Sequence, residues 1–354
     1  MSLTVSGGSI TAQQLWFVDT HKIEIRSAQL PALGPDELLI AVECSAISAG
    51  TEMLVYRGQI PADMALDANL DSLQDRPTYP LQYGYASAGR VVSVGSAVDA
   101  SWLDKRVFAF QPHASHFIAT SDNLIVIPDD VPSEAAVFLP NMETAVNLIQ
   151  DGTPALGERV VVLGQGIVGL LVASLLAQFP LTQLTALDAI ELRRERASQS
   201  GVAQVFNPFS AADIIELKKQ LFSPTENIKG ADLIYEVSGA PQALNLAIEL
   251  SGFASRIVIG SWYGSKTAAV ALGGDAHRNR LKITTSQVSS LAPELSGRWD
   301  KARRFDLTWQ MLRQLNPQQL ITHRTSIADA QSLYHHLHES PDDILQAIFY
   351  YPQN

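Results

Sequence analysis

From Val160 to Phe179 the chain runs for twenty residues without a charged side chain, and three glycines fall in the first half of that run. A length of about 20 apolar residues is enough to cross a bilayer as one helix. The order of residue types argues for something else. Val160–Leu163 is apolar and mostly β-branched, whereas Leu170–Gln178 is made of helix formers. A buried strand, a glycine turn and a buried helix are therefore expected here, and no membrane span.

The segments around this run repeat the alternation. Helices are expected at Ser133–Asp151, Ile167–Gln178, Glu191–Gly201 and Pro241–Leu250, with strands at Arg159–Leu163, Leu184–Leu187, Leu233–Val237 and Arg256–Ile259. Strands alternating with helices of this length build βαβ units and a parallel sheet covered on both faces. The expected fold class is α/β, a doubly wound parallel sheet plus a separate β-rich unit.

Gly164, Gly166 and Gly169 form G-x-G-x-x-G between that first strand and the helix that follows. The first glycine permits a tight turn, the second lets a pyrophosphate approach the backbone, and the third lets helix and strand pack closely. Ile167 and Val168 open the helix, whose free N–H groups and dipole favour negative charge. Asp188 ends the next strand 24 residues beyond Gly164, near the ~20-residue spacing of the acid that bonds a ribose 2′-OH. Together these features predict a bound nicotinamide dinucleotide. Asp188 favours NAD, because its carboxylate repels a 2′-phosphate, while Arg193 and Arg194 nearby leave NADP open. Ser238 with Gly239, and Ser261 with Trp262 and Tyr263, fall after later strands, where open α/β sheets bind ligands. For Trp262 and Tyr263, ordinary interface packing is an equal alternative.

The rest of the chain sets limits. At 354 residues it exceeds the size of a single core, so two domains are expected. The first 110 residues read as short strands separated by turns, Pro61–Pro80 as a surface excursion, and the tail as a return to the first domain. A net charge of -11 disfavours a nucleic-acid partner, since phosphate binding draws on clustered Lys and Arg. Cys44 is the one cysteine, which excludes an internal disulfide and a cysteine-rich structural zinc lobe. The first residues show no basic and apolar leader, so a cytoplasmic protein is the expectation.

Across Pro35–Ile40, Gly89–Val92, Gly157–Val160 and Leu320–His323 the chain resembles the medium-chain dehydrogenase/reductase superfamily, the alcohol dehydrogenase-like enzymes. That resemblance implies a GroES-like catalytic domain at 1–145 and 291–354, a Rossmann domain at 146–290, and a homodimer formed near Val270–Leu272. It also implies nicotinamide or metal contacts at the start of the linking helix, where Asn141, Met142, Glu143 and Thr144 stand; Glu143 is a ligand in principle, with a helix-start residue or cofactor contact as the favoured reading. Zinc-dependent members carry a cysteine in a G-I-C-x-x-D-like stretch and a histidine in G-H-E. Here the corresponding residues are Ile47–Glu52 and Gly84-Tyr85-Ala86, so the expectation is no catalytic zinc. Ser45–Glu52 followed by Tyr56-Arg57-Gly58 resembles a zinc-less subgroup that includes the bacteriochlorophyllide hydroxyethyl dehydrogenase.

Without zinc, another group must hold the substrate oxygen. Ser48, Thr51 and Tyr85 stand at those positions, with Tyr85 or Thr51 as the hydrogen-bond partner and Glu52 or His113 as proton relay. A buried, satisfied hydroxyl remains the alternative for Tyr85, and a core histidine for His113. Three functions stay open: an NAD(P)-dependent secondary alcohol dehydrogenase, an NADPH-dependent quinone or enone reductase, and a non-catalytic dinucleotide-binding protein.

Overall fold

Short runs of strand formers separated by turns account for the first unit. In the computed structural model, which describes residues 10–61, 78–223 and 229–351, that unit comprises 1–140 and 312–354, and a second comprises 141–311. The first begins with β1 (Thr11–Asp19) and β2 (Lys22–Gln29), an antiparallel pair, then β3 (Glu37–Ala46) and helix α1 (Ala49–Tyr56). There follow β4 (Ser87–Val94), β5 (Arg106–Ala109), β6 (His116–Thr120), β7 (Ile125–Val126) and the single turn α2 (Ser133–Ala136). Most of the expected excursion at Pro61–Pro80 lies outside the described residues.

The expected helix at Ser133–Asp151 is split into α2 and α3 (Leu139–Gly152). Pro140 explains the break. It has no N–H to give to a carbonyl four residues back, but it is tolerated in the first turn of a new helix.

In the second unit the chain continues as β8 (Arg159–Leu163), α4 (Ile167–Leu176), β9 (Gln183–Leu187), α5 (Glu191–Gln199), β10 (Gln204–Phe206), α6 (Ala211–Leu221), β11 (Ala231–Glu236), α7 (Ala243–Leu250), β12 (Ser251–Ile259) and β13 (Lys282–Thr285). The six strands form one parallel sheet in the order β10-β9-β8-β11-β12-β13. Relabelled by appearance this is 3-2-1-4-5-6, the doubly wound Rossmann order, whose topological switch lies between its first and fourth strands, β8 and β11. Every residue of β8 is buried, as a central parallel strand covered on both faces requires.

Two edge strands and a helix are additions to the sequence reading. β10 has three half-buried residues and β13 has four exposed ones, so neither carries an apolar period. α6 does carry one: Ile214, Leu217 and Leu221 share a face, and the Ser210 side chain accepts from the Asp213 N–H as an N-cap.

The tail supplies α8 (Lys301–Leu315), β14 (Ile321–Ser326), α9 (Ala330–Glu339) and β15 (Gln346–Tyr350). β15 pairs antiparallel with β3 and parallel with β14, joining a seven-stranded sheet of the first unit. This return was expected; the two compact units divide at 140/141 and 311/312, the second within α8, where the resemblance implies 145/146 and 290/291. Arg304 on α8 is fully buried and bonded to Glu143 and Asn147 of α3. Each unit has its own core: Leu15, Phe17, Leu38, Ile40, Tyr334 and Phe349 in the first, and Val161, Leu163, Leu217, Ile234 and Ile257 in the second. No helix among the described residues is long and apolar enough to cross a membrane.

Candidate functional site

The switch point is where the glycines gather. Gly164 leaves β8 with φ +94, and a Cβ there would lie 2.5 Å from Ser238 Cα, just past the end of β11. Only glycine tolerates both the conformation and the approach. A Cβ on Gly169 would meet the Gly164 carbonyl oxygen at 2.0 Å, so α4 sits directly on the turn. Gly166 differs: nothing lies within 4 Å of its Cβ position, and as N-cap of α4 it brings no side chain to the helix end. Ile167, Val168 and Gly169 form that first turn, where N–H groups lack intrahelical partners and favour an anion.

Asp188 follows β9 and is 8% exposed. Its Oδ2 accepts from the Gln165 N–H at 2.6 Å and its Oδ1 from the Ile190 N–H at 2.8 Å. The carboxylate thus clamps the glycine turn, and each oxygen keeps a further lone pair for a ribose hydroxyl. Arg193 Nη1 stands 3.8 Å from Oδ2. Arg194 is committed elsewhere, donating to the carbonyls of Asp188 and Ala189 at 2.8 and 2.7 Å. Of the two cations that keep NADP open, Arg193 is the one beside the acid.

Glu236, at the end of β11, is a site residue that the sequence reading missed. Completely buried, it accepts from the Ser238 N–H at 2.9 Å, from the Ser238 hydroxyl, and from the Tyr263 hydroxyl at 2.5 Å. Ser261 Oγ in turn accepts from the Gly239 N–H at 2.9 Å. Ser238, Gly239, Ser261 and Tyr263 are therefore one hydrogen-bonded group around a buried acid, with Trp262 half-buried between two of its members. Burial, and then Glu236, push the Tyr263 phenol upward, so it remains a donor. The available signal was an acid inside the apolar run Leu233–Val237.

On α3, Thr144 is half-buried, while Glu143 is committed to cations. Its Oε1 lies 2.9 Å from Arg304 and 2.7 Å from Lys301 Nζ. This makes Glu143 part of a structural ion pair, a role that the sequence reading did not assign to it.

The remaining candidates belong to the first unit and form two groups. Tyr85, Ser48 and Thr51 make a cluster of hydroxyls: the Tyr85 hydroxyl donates to Ser48 Oγ and lies 3.2 Å from Thr51 Oγ1. Glu52 and His113, both fully buried, make the second, with His113 Nε2 at 3.0 Å from Glu52 Oε2 and Nδ1 at 2.7 Å from Ser45 Oγ. Tyr351 lies 2.7 Å from the same Ser45 oxygen, and the Tyr334 hydroxyl donates to Glu52. Burial raises both phenols, reinforced at Tyr334 by Glu52, so both stay protonated. The groups meet at Ser48, whose backbone N–H donates to Glu52 Oε1 at 2.7 Å. Gly84, at φ +121, leaves room for the His113 ring directly before Tyr85 in sequence, since a Cβ there would lie 2.9 Å from the imidazole.

Zinc binds thiolate, imidazole and carboxylate donors. The cluster offers three neutral hydroxyl oxygens, and Cys44 lies buried in β3, its thiol pushed far upward by burial and by Glu134 and Glu43. The hydroxyls are not the donors that zinc favours, and the nearby Glu52 carboxylate and His113 imidazole are bonded to each other.

Residues 168–305 match a family model described as "Zinc-binding dehydrogenase". The chain is 26% identical over 254 residues to an L-threonine 3-dehydrogenase of Stenotrophomonas maltophilia, covering 63% of this chain and 69% of that one. It resembles a solved alcohol dehydrogenase from E. coli CFT073 complexed with NADH, with a TM-score of 0.77, 18% identity and coverage of 97% and 100%. A "putative zinc-binding dehydrogenase" from Sinorhizobium meliloti bound to NADP gives a TM-score of 0.75 at 17% identity, again covering 97% and 100%.

Proposed function

We propose that the chain is an alcohol dehydrogenase-like, NAD(P)-dependent member of the medium-chain dehydrogenase/reductase superfamily, as its relatives and family match support, and that it interconverts a secondary alcohol and its ketone without a catalytic zinc. NAD is the preferred cofactor in this reading, and supplies or accepts the hydride when bound. Gly164, Gly166 and Gly169 with the first turn of α4 hold the pyrophosphate, and Asp188 takes the ribose hydroxyls. Thr144 and the Glu236-centred group of Ser238, Gly239 and Ser261, with Trp262, bound the nicotinamide end.

The observation that carries the zinc-less reading is the hydroxyl cluster. Tyr85, Ser48 and Thr51 bring three hydroxyls together, each able both to donate to and to accept from a substrate oxygen. In alcohol oxidation the substrate O–H would hydrogen-bond this cluster and pass its proton through the half-buried hydroxyls of Tyr85, Ser48 and Thr51 to solvent, as the carbon gives up hydride. In the reverse direction the cluster donates to the ketone oxygen. Glu52 and His113, expected as relay residues, are assigned here as positioning residues: they are sealed from solvent, and Glu52 fixes the Ser48 backbone. The family description attaches to 168–305, a span that contains none of these hydroxyls.

Titration with NADH and NADPH, read by nicotinamide fluorescence, checks the cofactor side, with NADH expected to bind more tightly. A clear preference for NADPH would favour an enone or quinone reductase instead. Turnover is expected to survive exhaustive removal of divalent metals by a chelator; loss restored by zinc would overturn the zinc-less assignment. Tyr85→Phe is expected to lower kcat by about tenfold or more while leaving the NADH dissociation constant unchanged. Unchanged kcat would remove Tyr85 from the chemistry.

The same reading includes a homodimer. β13 closes one edge of the parallel sheet with all four residues exposed, and Leu272 is 55% exposed nearby in sequence. An open strand edge with an apolar neighbour suits pairing with a second copy. A reducing, cytoplasmic setting accompanies it, with Cys44 as the sole cysteine and small molecules, not nucleic acid, as ligands.

A further inference from the structure

Three side chains of the tail converge away from any role described so far. His323 lies on β14, His336 on α9, and Asp343 in the turn before β15. Asp343 Oδ1 is 3.0 Å from His336 Nε2, and Oδ2 is 3.9 Å from His323 Nε2. One ligand atom from each of the three lies within 4.8 Å of the others. The two rings stand edge to face at 84°, so their ring nitrogens approach the carboxylate from different directions. We propose that His323, His336 and Asp343 form a site for a borderline divalent transition-metal ion such as Zn²⁺.

The hydrogen bonds behind His323 support this. Thr322 Oγ1 donates to the Gln346 carbonyl and accepts from the Leu345 N–H at 3.1 Å. With its own proton given away, that oxygen is an acceptor for His323 Nδ1, 3.0 Å distant. This arrangement favours the imidazole proton on Nδ1, with Nε2 toward Asp343. A lone pair directed at a carboxylate favours a cation between them, and a metal ion would bond both. Fixing one imidazole nitrogen by a hydrogen bond so that the other can ligate is a regular feature of histidine metal sites.

The spacing suits the ion. Bonds of about 2.0–2.1 Å in a tetrahedron place ligand atoms roughly 3.3 Å apart, and the two measured separations bracket that value. The three side chains are 28%, 37% and 62% exposed, free to close the longer gap and open to entry of the ion. Two imidazoles and one carboxylate leave at least one position for water, and the donor set selects zinc, cobalt, nickel or copper over calcium or magnesium. An ion there ties together α9, β14 and the turn leading to β15. The other histidines of α9 stand apart: His335 is exposed, and His338 accepts from Arg57 and stacks on His21.

The test uses the full chain after chelator treatment, titrated with Zn²⁺ by calorimetry and with Co²⁺ by visible absorption. A single saturable equivalent is expected, with cobalt bands of a low-symmetry nitrogen–oxygen site. His323→Ala, His336→Ala and Asp343→Asn should each weaken binding by about tenfold or more, without lowering the metal-free melting temperature. His335→Ala should bind as the parent does. Absence of saturable binding overturns the proposal. So does saturable binding that the three substitutions leave intact, because the ion would then sit elsewhere, the hydroxyl cluster included. Equal weakening by His335→Ala would mean a diffuse surface affinity, and would overturn it too.

Discussion

Gly164→Ala is expected to abolish measurable NADH binding and to destabilise the parallel-sheet unit. The added methyl meets backbone, at 2.5 Å from Ser238 Cα and 2.7 Å from Ser238 N, so no rotamer change relieves the overlap. β8 and β11 must separate at the switch point, or the turn must leave its φ of +94. Either movement displaces the N–H groups opening α4 and the Gln165 N–H that Asp188 holds. A loss of about a hundredfold or more in affinity, equivalent to about 3 kcal/mol, is expected. Gly166→Ala separates binding from folding. Its backbone is ordinary, at φ -66, and nothing lies within 4 Å of the new Cβ, so the melting temperature should hold while NADH affinity falls. An unaltered NADH dissociation constant in Gly166→Ala would mean that the pyrophosphate does not lie over this turn.

The second large effect concerns stability. Arg304→Met removes the guanidinium that bonds Glu143, Asn147 and the carbonyls of Val288 and Ser290. Methionine fills much of the volume, but leaves Glu143, 2% exposed, with Lys301 as its remaining cation. Stranding one partner of a buried ion pair costs about 3–5 kcal/mol, and the lower end is expected because Lys301 stays. Urea unfolding reads the change in midpoint. Adding Glu143→Gln should recover part of the loss, since the two sites are coupled. A cost below about 1 kcal/mol for Arg304→Met would mean that the pair is hydrated and contributes little.

Much of the parallel sheet was legible because its signals are local. The apolar run at 160–163, the glycines after it and the acid at 188 lie within one βα unit and the next strand, and each acts through backbone geometry that its own residue type dictates. α6 carried an equally local signal, a capped amphipathic period, and was readable but unread. β10 and β13 were not readable: edge strands with half-exposed or exposed residues have no buried face to impose a period.

The candidate catalytic residues show the limit more sharply. Sequence position brought Ser48, Thr51 and Glu52 together on one turn of helix, and analogy added Tyr85 and His113. Which of them touch was settled by folding. Tyr85 crosses 34 residues of chain to reach Thr51, and Tyr334 crosses 282 to reach Glu52. The same sorting placed Glu52 and His113 in a sealed network and left the hydroxyls as a separate cluster. Likewise Glu143 found Arg304 across 161 residues, a pairing that no local pattern announces. The amino-acid order thus determined the backbone turn that suits a dinucleotide, because glycine and helix termini act over a few residues. Tertiary structure alone decided which polar side chains are spent on one another and which remain for chemistry, because burial and pairing depend on partners the chain supplies from far away.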